Sequence, residues 1–203
     1  IQGDLDDMST IDDAFGYQVI LGGMEALVWT FPTDTRTFVF QKNAGWGQWS
    51  GWDNDVANWK RLIVNCHHLR RDTGENLVGT TTGYVGKFDM DTHTDLGDTV
   101  RAYVETGYLH RDTEGKKWCR NVTLTIRRGQ TSSSTAPKVR VSFSDEPGNW
   151  SPEMEINLGA GGDMSSVVPL GPMGTYYRRA WRFDFSDAEY LALVKAEEDY
   201  EVL

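Results

Sequence analysis

Asn121-Val122-Thr123-Leu124-Thr125-Ile126-Arg127 alternates polar and apolar residues without a break. Successive side chains of a strand point to opposite faces, so this run reads as a strand that buries Val122, Leu124 and Ile126. Downstream, Lys138–Ser144 repeats the pattern through Val139, Val141 and Phe143, and Met154, Ile156 and Leu158 continue it. Upstream, Thr99–Glu105 sets Val100, Ala102 and Val104 against Thr99, Arg101 and Tyr103. Tyr177–Phe185 places Tyr177, Arg179, Trp181, Phe183 and Phe185 on one face, and the tail Tyr190–Glu198 reads as strand too.

The N-terminal half is built the same way. Ala26–Phe31 ends at Pro32, and Thr37–Gln41 follows the polar turn Thr33-Asp34-Thr35-Arg36. Gly47–Trp52 closes that unit, and Leu62–Cys66 is a buried-type run. Leu77-Val78-Gly79 and Tyr84–Asp89 flank a Thr-Thr-Thr-Gly turn. Helix signals are confined to capped turns at Ser9–Asp13 and Ser186–Glu189. Gln130–Pro137 and the glycine-rich Gly159–Val167 read as loops. The strand spacing predicts an all-β chain, of propeller blades or a sandwich.

Composition excludes several function classes. The 203 residues carry 30 Asp and Glu against 20 Lys and Arg, a net charge of −10. That balance disfavours a broad grip on nucleic acid or on an anionic membrane. No apolar run reaches the roughly 18 residues of a membrane span. The acidic start Ile1-Gln2-Gly3-Asp4-Leu5-Asp6-Asp7 is unlike a signal peptide, and position 1 is not Met, so the chain reads as a piece of a longer one. Two cysteines, Cys66 and Cys119, are too few for a disulfide scaffold or a thiolate metal site. One disulfide between them fits, and two buried thiols are the preferred reading.

The candidate sites divide into weak chemistry and stronger surfaces. Asp89–Asp98 spaces oxygen ligands like a calcium loop, but Thr94 and Val100 stand where an EF-hand needs Gly and Glu. A polar turn capped by Asp side chains is the reading preferred. His67 and His68, being adjacent, would point to opposite faces of a strand, and only His93 and His110 remain to complete a metal site. No nucleophile elbow, phosphate loop or dinucleotide fingerprint is present. Asn121-Val122-Thr123 and Asn149-Trp150-Ser151 match the glycosylation pattern, which means nothing without a secretory route. No enzyme activity, cofactor or metal is expected.

Trp46, Trp49, Trp52 and Trp59 form the most suggestive cluster. They suit a core or subunit interface first, and a sugar-stacking platform second. Arg178-Arg179-Ala180-Trp181-Arg182 is the densest basic cluster. Alternation puts Arg178 and Arg182 on one face and Arg179 with Trp181 on the other. In an acidic chain these arginines are expected to meet carboxylates, within the subunit or across an interface, and not DNA.

Several stretches resemble one family. Phe31-Pro32-Thr33-Asp34-Thr35-Arg36-Thr37-Phe38-Val39-Phe40 with Gly45-Trp46-Gly47-Gln48-Trp49 is similar to a propeller blade of phage tail hub proteins. Gly79–Asp89 and Thr94–Val100 resemble the strands that follow, Val141–Trp150 a Ser-x-Asp-Gly-Gly-x-Trp turn, and Leu158-Gly159 with Gly174–Phe183 the closing strands. The family is the packaged-DNA stabilisation, or tail hub (nozzle), proteins of short-tailed bacteriophages. The chain departs from it where Asp145-Glu146-Pro147-Gly148 replaces Asp-Gly-Gly and where His93 replaces a tyrosine. The resemblance spans roughly 11–198 and implies a propeller-blade region over 1–90 and further antiparallel sheet over 91–203, the C-terminal part of a larger chain. It implies a non-enzymatic virion tail subunit in a ring of six, with Trp46, Trp49, Trp52, Arg178, Arg179 and Arg182 as candidate interface residues. Its partners would be copies of itself and adjoining tail or portal-adaptor proteins. DNA would pass through the channel without specific binding, and no membrane anchor is expected. The competing reading is a carbohydrate-binding β-module using Trp46, Trp49, Trp52 and Trp59.

Overall fold

A computed structural model describes residues 2–53, 58–92, 94–99, 102–111, 113–128, 137–159, 165–185 and 191–203. The described chain is almost entirely antiparallel β-structure, with one short helix, α1 (Gln2–Asp6). It divides into two compact units, Ile1–Thr92 and His93–Leu203.

In the first unit β1 (Phe15–Leu21), β2 (Met24–Phe31), β3 (Arg36–Gln41) and β4 (Gly45–Gln48) form a four-stranded meander in chain order. Gly22 and Gly23, both at positive φ, make the two-residue turn that pairs Leu21 with Met24. β5 (Gly51–Asp53) pairs with β6 (Asn58–Lys60), and β7 (Val64–Leu69), β8 (Asn76–Thr80) and β9 (Val85–Lys87) form a three-stranded sheet. The meander buries Val19, Ala26, Val28 and Val39, with Tyr17, Leu21, Trp49 and Phe88 packed against them. The hydroxyls of Thr30 and Thr37 bond each other at 3.1 Å in this interior. Asp34 accepts bonds from the backbone N–H groups of Ser9 and Thr10, which ties the N-terminal segment to the β2–β3 turn. The Ser9 bond is also the main reason its carboxyl is held below the usual range.

In the second unit β10 (Thr94–Asp95) and β11 (Asp98–Thr99) form a hairpin closed by Leu96 and Gly97, both at positive φ. β12 (Tyr103–Glu105), β13 (Lys117–Arg128), β14 (Lys138–Ser144), β15 (Met154–Asn157), β16 (Ser165–Pro169), β17 (Gly174–Tyr176), β18 (Ala180–Asp184) and β19 (Leu191–Val202) make two larger sheets. One runs β12-β18-β14-β15; the other places β16 and β17 on one side of β13 and β19 on the other. Val122, Leu124 and Ile126 of β13 share one core with Val139 and Val141 of β14 and Trp181 and Phe183 of β18. Two sheets around one core make this unit a sandwich.

Two bulges set the phase of the β13–β19 ladder. Arg120 is an extra residue on β13, between the pairs Cys119–Tyr200 and Asn121–Asp199. It shifts the buried positions from Lys117 and Cys119 to Val122, Leu124 and Ile126. Val194 is the extra residue on β19. Among the described residues β19 pairs with β13 alone.

The structure corrects several expectations. Thr99–Glu105 is not one alternating strand: β11 ends at Thr99, Ala102 lies outside any strand, and Tyr103, Val104 and Glu105 are all exposed. Tyr177–Phe185 is not one continuous face, because the chain bends at Tyr177 and Arg178 and leaves Tyr177 exposed. The alternation of β14 fails after Val141, with Ser142 and Ser144 buried and Phe143 half-buried. Gly47–Trp52 breaks at Trp49 and Ser50, and the buried-type run at Leu62–Cys66 becomes a strand from Val64 that exposes Cys66. Ser165–Val167 belongs to β16 and not to a loop. Ser186–Glu189 and most of Gln130–Pro137 lie outside the described residues.

Candidate functional site

The meander has a second face, opposite its core. Small residues of β2, Ala26, Val28 and Thr30, turn inward, so Leu27 and Trp29 turn outward. Trp29 pairs in register with Gly16, and a Cβ at position 16 would sit 2.5 Å from the Trp29 Cδ1. The glycine thus makes room for the indole. Trp29 meets Trp46 with ring centroids 5.7 Å apart and planes tilted by 60°, and Trp46 meets Phe40 at 5.1 Å. Ile20, Leu27, Trp29 and Trp46 each remain 43–45% exposed. Gln18 donates to Glu25 at the border.

The expected four-tryptophan platform does not form as one surface. Trp49 packs against Phe88 and the core side of the meander, held by its backbone N–H bond to Thr37 O at 2.8 Å. It therefore lies on the opposite face from Trp46. Trp52 and Trp59 are register partners across β5 and β6, and their side chains lie outside the described residues. Trp29, Leu27 and Ile20 were missed by sequence reasoning. The available signal was that Ala26–Phe31 is apolar at both phases of its alternation, the pattern of a strand covered on two sides.

The arginine cluster is resolved residue by residue. Arg179 is 1% exposed. Its Nε and Nη2 donate to the two carboxylate oxygens of Asp145 at 2.7 and 2.8 Å, and its Nη1 donates to Met173 O at 2.8 Å. Phe143 and Tyr176 lie 4.1 and 4.4 Å from its guanidinium carbon. A residue so enclosed is internal packing, which removes it from the expected interface. Arg182 donates to Glu105 at 2.6 Å and lies over Trp150. Arg178 is exposed and lies over Tyr108.

A third group of polar side chains is internal to the second unit. The Lys117 ammonium, with no exposure, donates to the carbonyls of Thr113, Gly115 and Tyr177. Arg111, at φ 54°, donates to Glu198 at 3.0 Å, and the Glu198 side chain is 3% exposed. Burial pushes the Cys119 thiol up to about 11, with the Glu198 carboxylate adding to the effect. Burial likewise raises the Tyr176 phenol. A thiol shifted upward is a poor nucleophile at neutral pH.

The Asp89–Asp98 stretch is a turn, with Asp89 Oδ1 accepting from the Asp91 N–H, followed by the β10–β11 hairpin. His67 and His68 sit at successive positions of β7, and only His67 is partly covered. Among the described residues no three His, Cys, Asp or Glu side chains are placed to hold a metal ion, and no helix is long and apolar enough to cross a membrane. No protein-family model matches the chain, and no curated protein matches it.

Proposed function

We propose that the chain is a non-enzymatic structural subunit of a short-tailed bacteriophage tail. It would form part of a hub or nozzle ring that closes the portal channel and retains packaged DNA. The observation that carries this reading is the meander with two apolar faces. Propellers are built from four-stranded sheets arranged radially, so an interior blade has a neighbour on each side. The outer face of Ile20, Leu27, Trp29 and Trp46 is of the kind that marks an interaction site. A neighbouring blade, or the next subunit of the ring, would cover it. The sequence resemblance supplies the family and the six-fold count; the local pairing of Arg179 and Arg182 with Asp145 and Glu105 suits a wall that does not grip DNA.

The test is particle imaging with native mass measurement, for the wild type and for Trp29→Ser with Trp46→Ser. Rings in the wild type and their loss in the variant are expected. A wild type that stays monomeric at high concentration refutes the ring. The carbohydrate reading keeps one observation in its favour, the exposed Trp29–Trp46 pair. Glycan binding by a monomer, lost in Trp46→Ala, would replace the structural reading with that one.

A further inference from the structure

Where the edge of β7 meets β1, a cleft of about 340 Å³ is lined by Gln18, Ile20, His67, His68, Leu69 and Arg71. No carboxylate is among these residues, in a chain whose net charge is −10. Of the nearby acids, Asp72 and Glu75 pair with Arg70, and Glu75 also with Lys87, while Glu25 accepts from Gln18 at the rim of the cleft. Among the described residues Arg71 makes no ion pair, and His68 is exposed beside it.

His67 is positioned by its neighbours. Asn76 is 4% exposed, and its Nδ2 donates to Ile20 O at 2.6 Å while its Oδ1 accepts from the Ile20 N–H. The backbone thus fixes which end of the amide is oxygen. That oxygen lies 3.0 Å from His67 Nε2, which must then be the donor. The ring is also stacked on Tyr17, with centroids 5.0 Å apart. The imidazole is therefore held in one orientation and one tautomer.

The geometry points to an oxyanion-binding cleft that recognises a phosphate group through Arg71 and His68, with the locked His67 at its wall. A guanidinium presents a planar fork of donors that matches phosphate, and an imidazole ring adds a further N–H donor. The phosphate could be free or belong to a nucleic-acid backbone. This inference does not rest on the ring: a monomer would carry the same cleft.

The experiment titrates inorganic phosphate, at constant ionic strength and pH 6, into the isotope-labelled full chain and follows its amide and imidazole resonances. Saturable shifts at residues 67–71 are expected. Arg71→Ala with His68→Ala, both exposed positions, should weaken binding by at least about tenfold, since both side-chain contacts to the phosphate are lost. Arg71→Lys should keep part of the affinity, which separates charge from folding damage. A second arm adds a short single-stranded oligonucleotide. Shifts at the same residues that phosphate competes away assign the cleft to a nucleic-acid backbone, and no response assigns it to a free anion; either supports phosphate recognition. Absence of saturable shifts at these residues, or equal affinity in the double alanine variant, overturns it.

Discussion

Asp145→Ala strands a guanidinium that is 1% exposed, and the cost follows from what Arg179 loses. Two charge-assisted bonds, at 2.7 and 2.8 Å, disappear. At about 1.5–3 kcal/mol for each bond to a charged group, the loss is comparable to the 3–5 kcal/mol of a broken buried pair. Arg179→Met should cost less. The Asp145 side chain is 36% exposed, so water can take over its oxygens once the arginine is gone. Methionine keeps most of the volume between Phe143 and Tyr176, and its sulfur suits aromatic neighbours. Lost are the charge-assisted bond to Met173 O and the ring–cation attraction, about 2–4 kcal/mol together, of which the methionine–aromatic contacts and the removal of a buried charge return part, leaving a net cost of about 1–2 kcal/mol. With a urea dependence near 2 kcal/mol per molar, Asp145→Ala lowers the unfolding midpoint by about 2 M and Arg179→Met by less than 1 M. Adding Arg179→Met to Asp145→Ala should recover most of the loss. Urea unfolding followed by tryptophan emission measures all three. If Arg179→Met costs as much as Asp145→Ala, stranded charge is not what makes the pair matter, and the reasoning fails.

Lys117→Met leaves the carbonyls of Thr113, Gly115 and Tyr177 without their donor and should cost about 3–5 kcal/mol, read from the same urea midpoints. Gly16→Ala drives a methyl against the Trp29 indole and should cost about 1–3 kcal/mol, most of which is removed when Trp29 is also alanine, leaving the Val28 carbonyl contact at 3.3 Å. A thiol reagent should modify exposed Cys66 in the native protein and reach Cys119 only in urea, as counted by mass spectrometry. Folding holds the Cys119 proton up to about pH 11, whereas the unfolded thiol loses it near pH 9, so the folded state binds more protons in between. Stability therefore falls as pH rises from 9 to 11, and Cys119→Ala should flatten that fall.

The alternation of Val122, Leu124 and Ile126 was legible because one face of β13 meets a core and the other does not. The bulge at Arg120 was not, since an extra residue leaves no mark in a pattern of residue types. Thr99–Glu105 misled because Tyr103, Val104 and Glu105 are exposed on both phases of the alternation. In β14 the phase slips after Val141, and a serine takes an inward position that hydrophobicity would give to Phe143. For the candidate site, tryptophan marks a surface or a core equally well. Trp49 is drawn inward by its backbone bond to Thr37, and Trp29 is turned outward by the small residues beside it in β2. Both facts belong to register, which a single sequence does not state.

The twelve-residue strand β19 has a consequence for how the protein behaves when crowded. An open strand edge is a template on which other chains can add, and long flat edges seed fibres. β19 carries three obstacles to that. Val194 breaks its regular spacing, Glu198 turns a charge inward towards Arg111, and Glu197, Asp199 and Glu201 line the strand with carboxylates. Two copies laid edge to edge in antiparallel fashion would set acid against acid. Edge-to-edge addition, which would have no natural end, is thereby disfavoured.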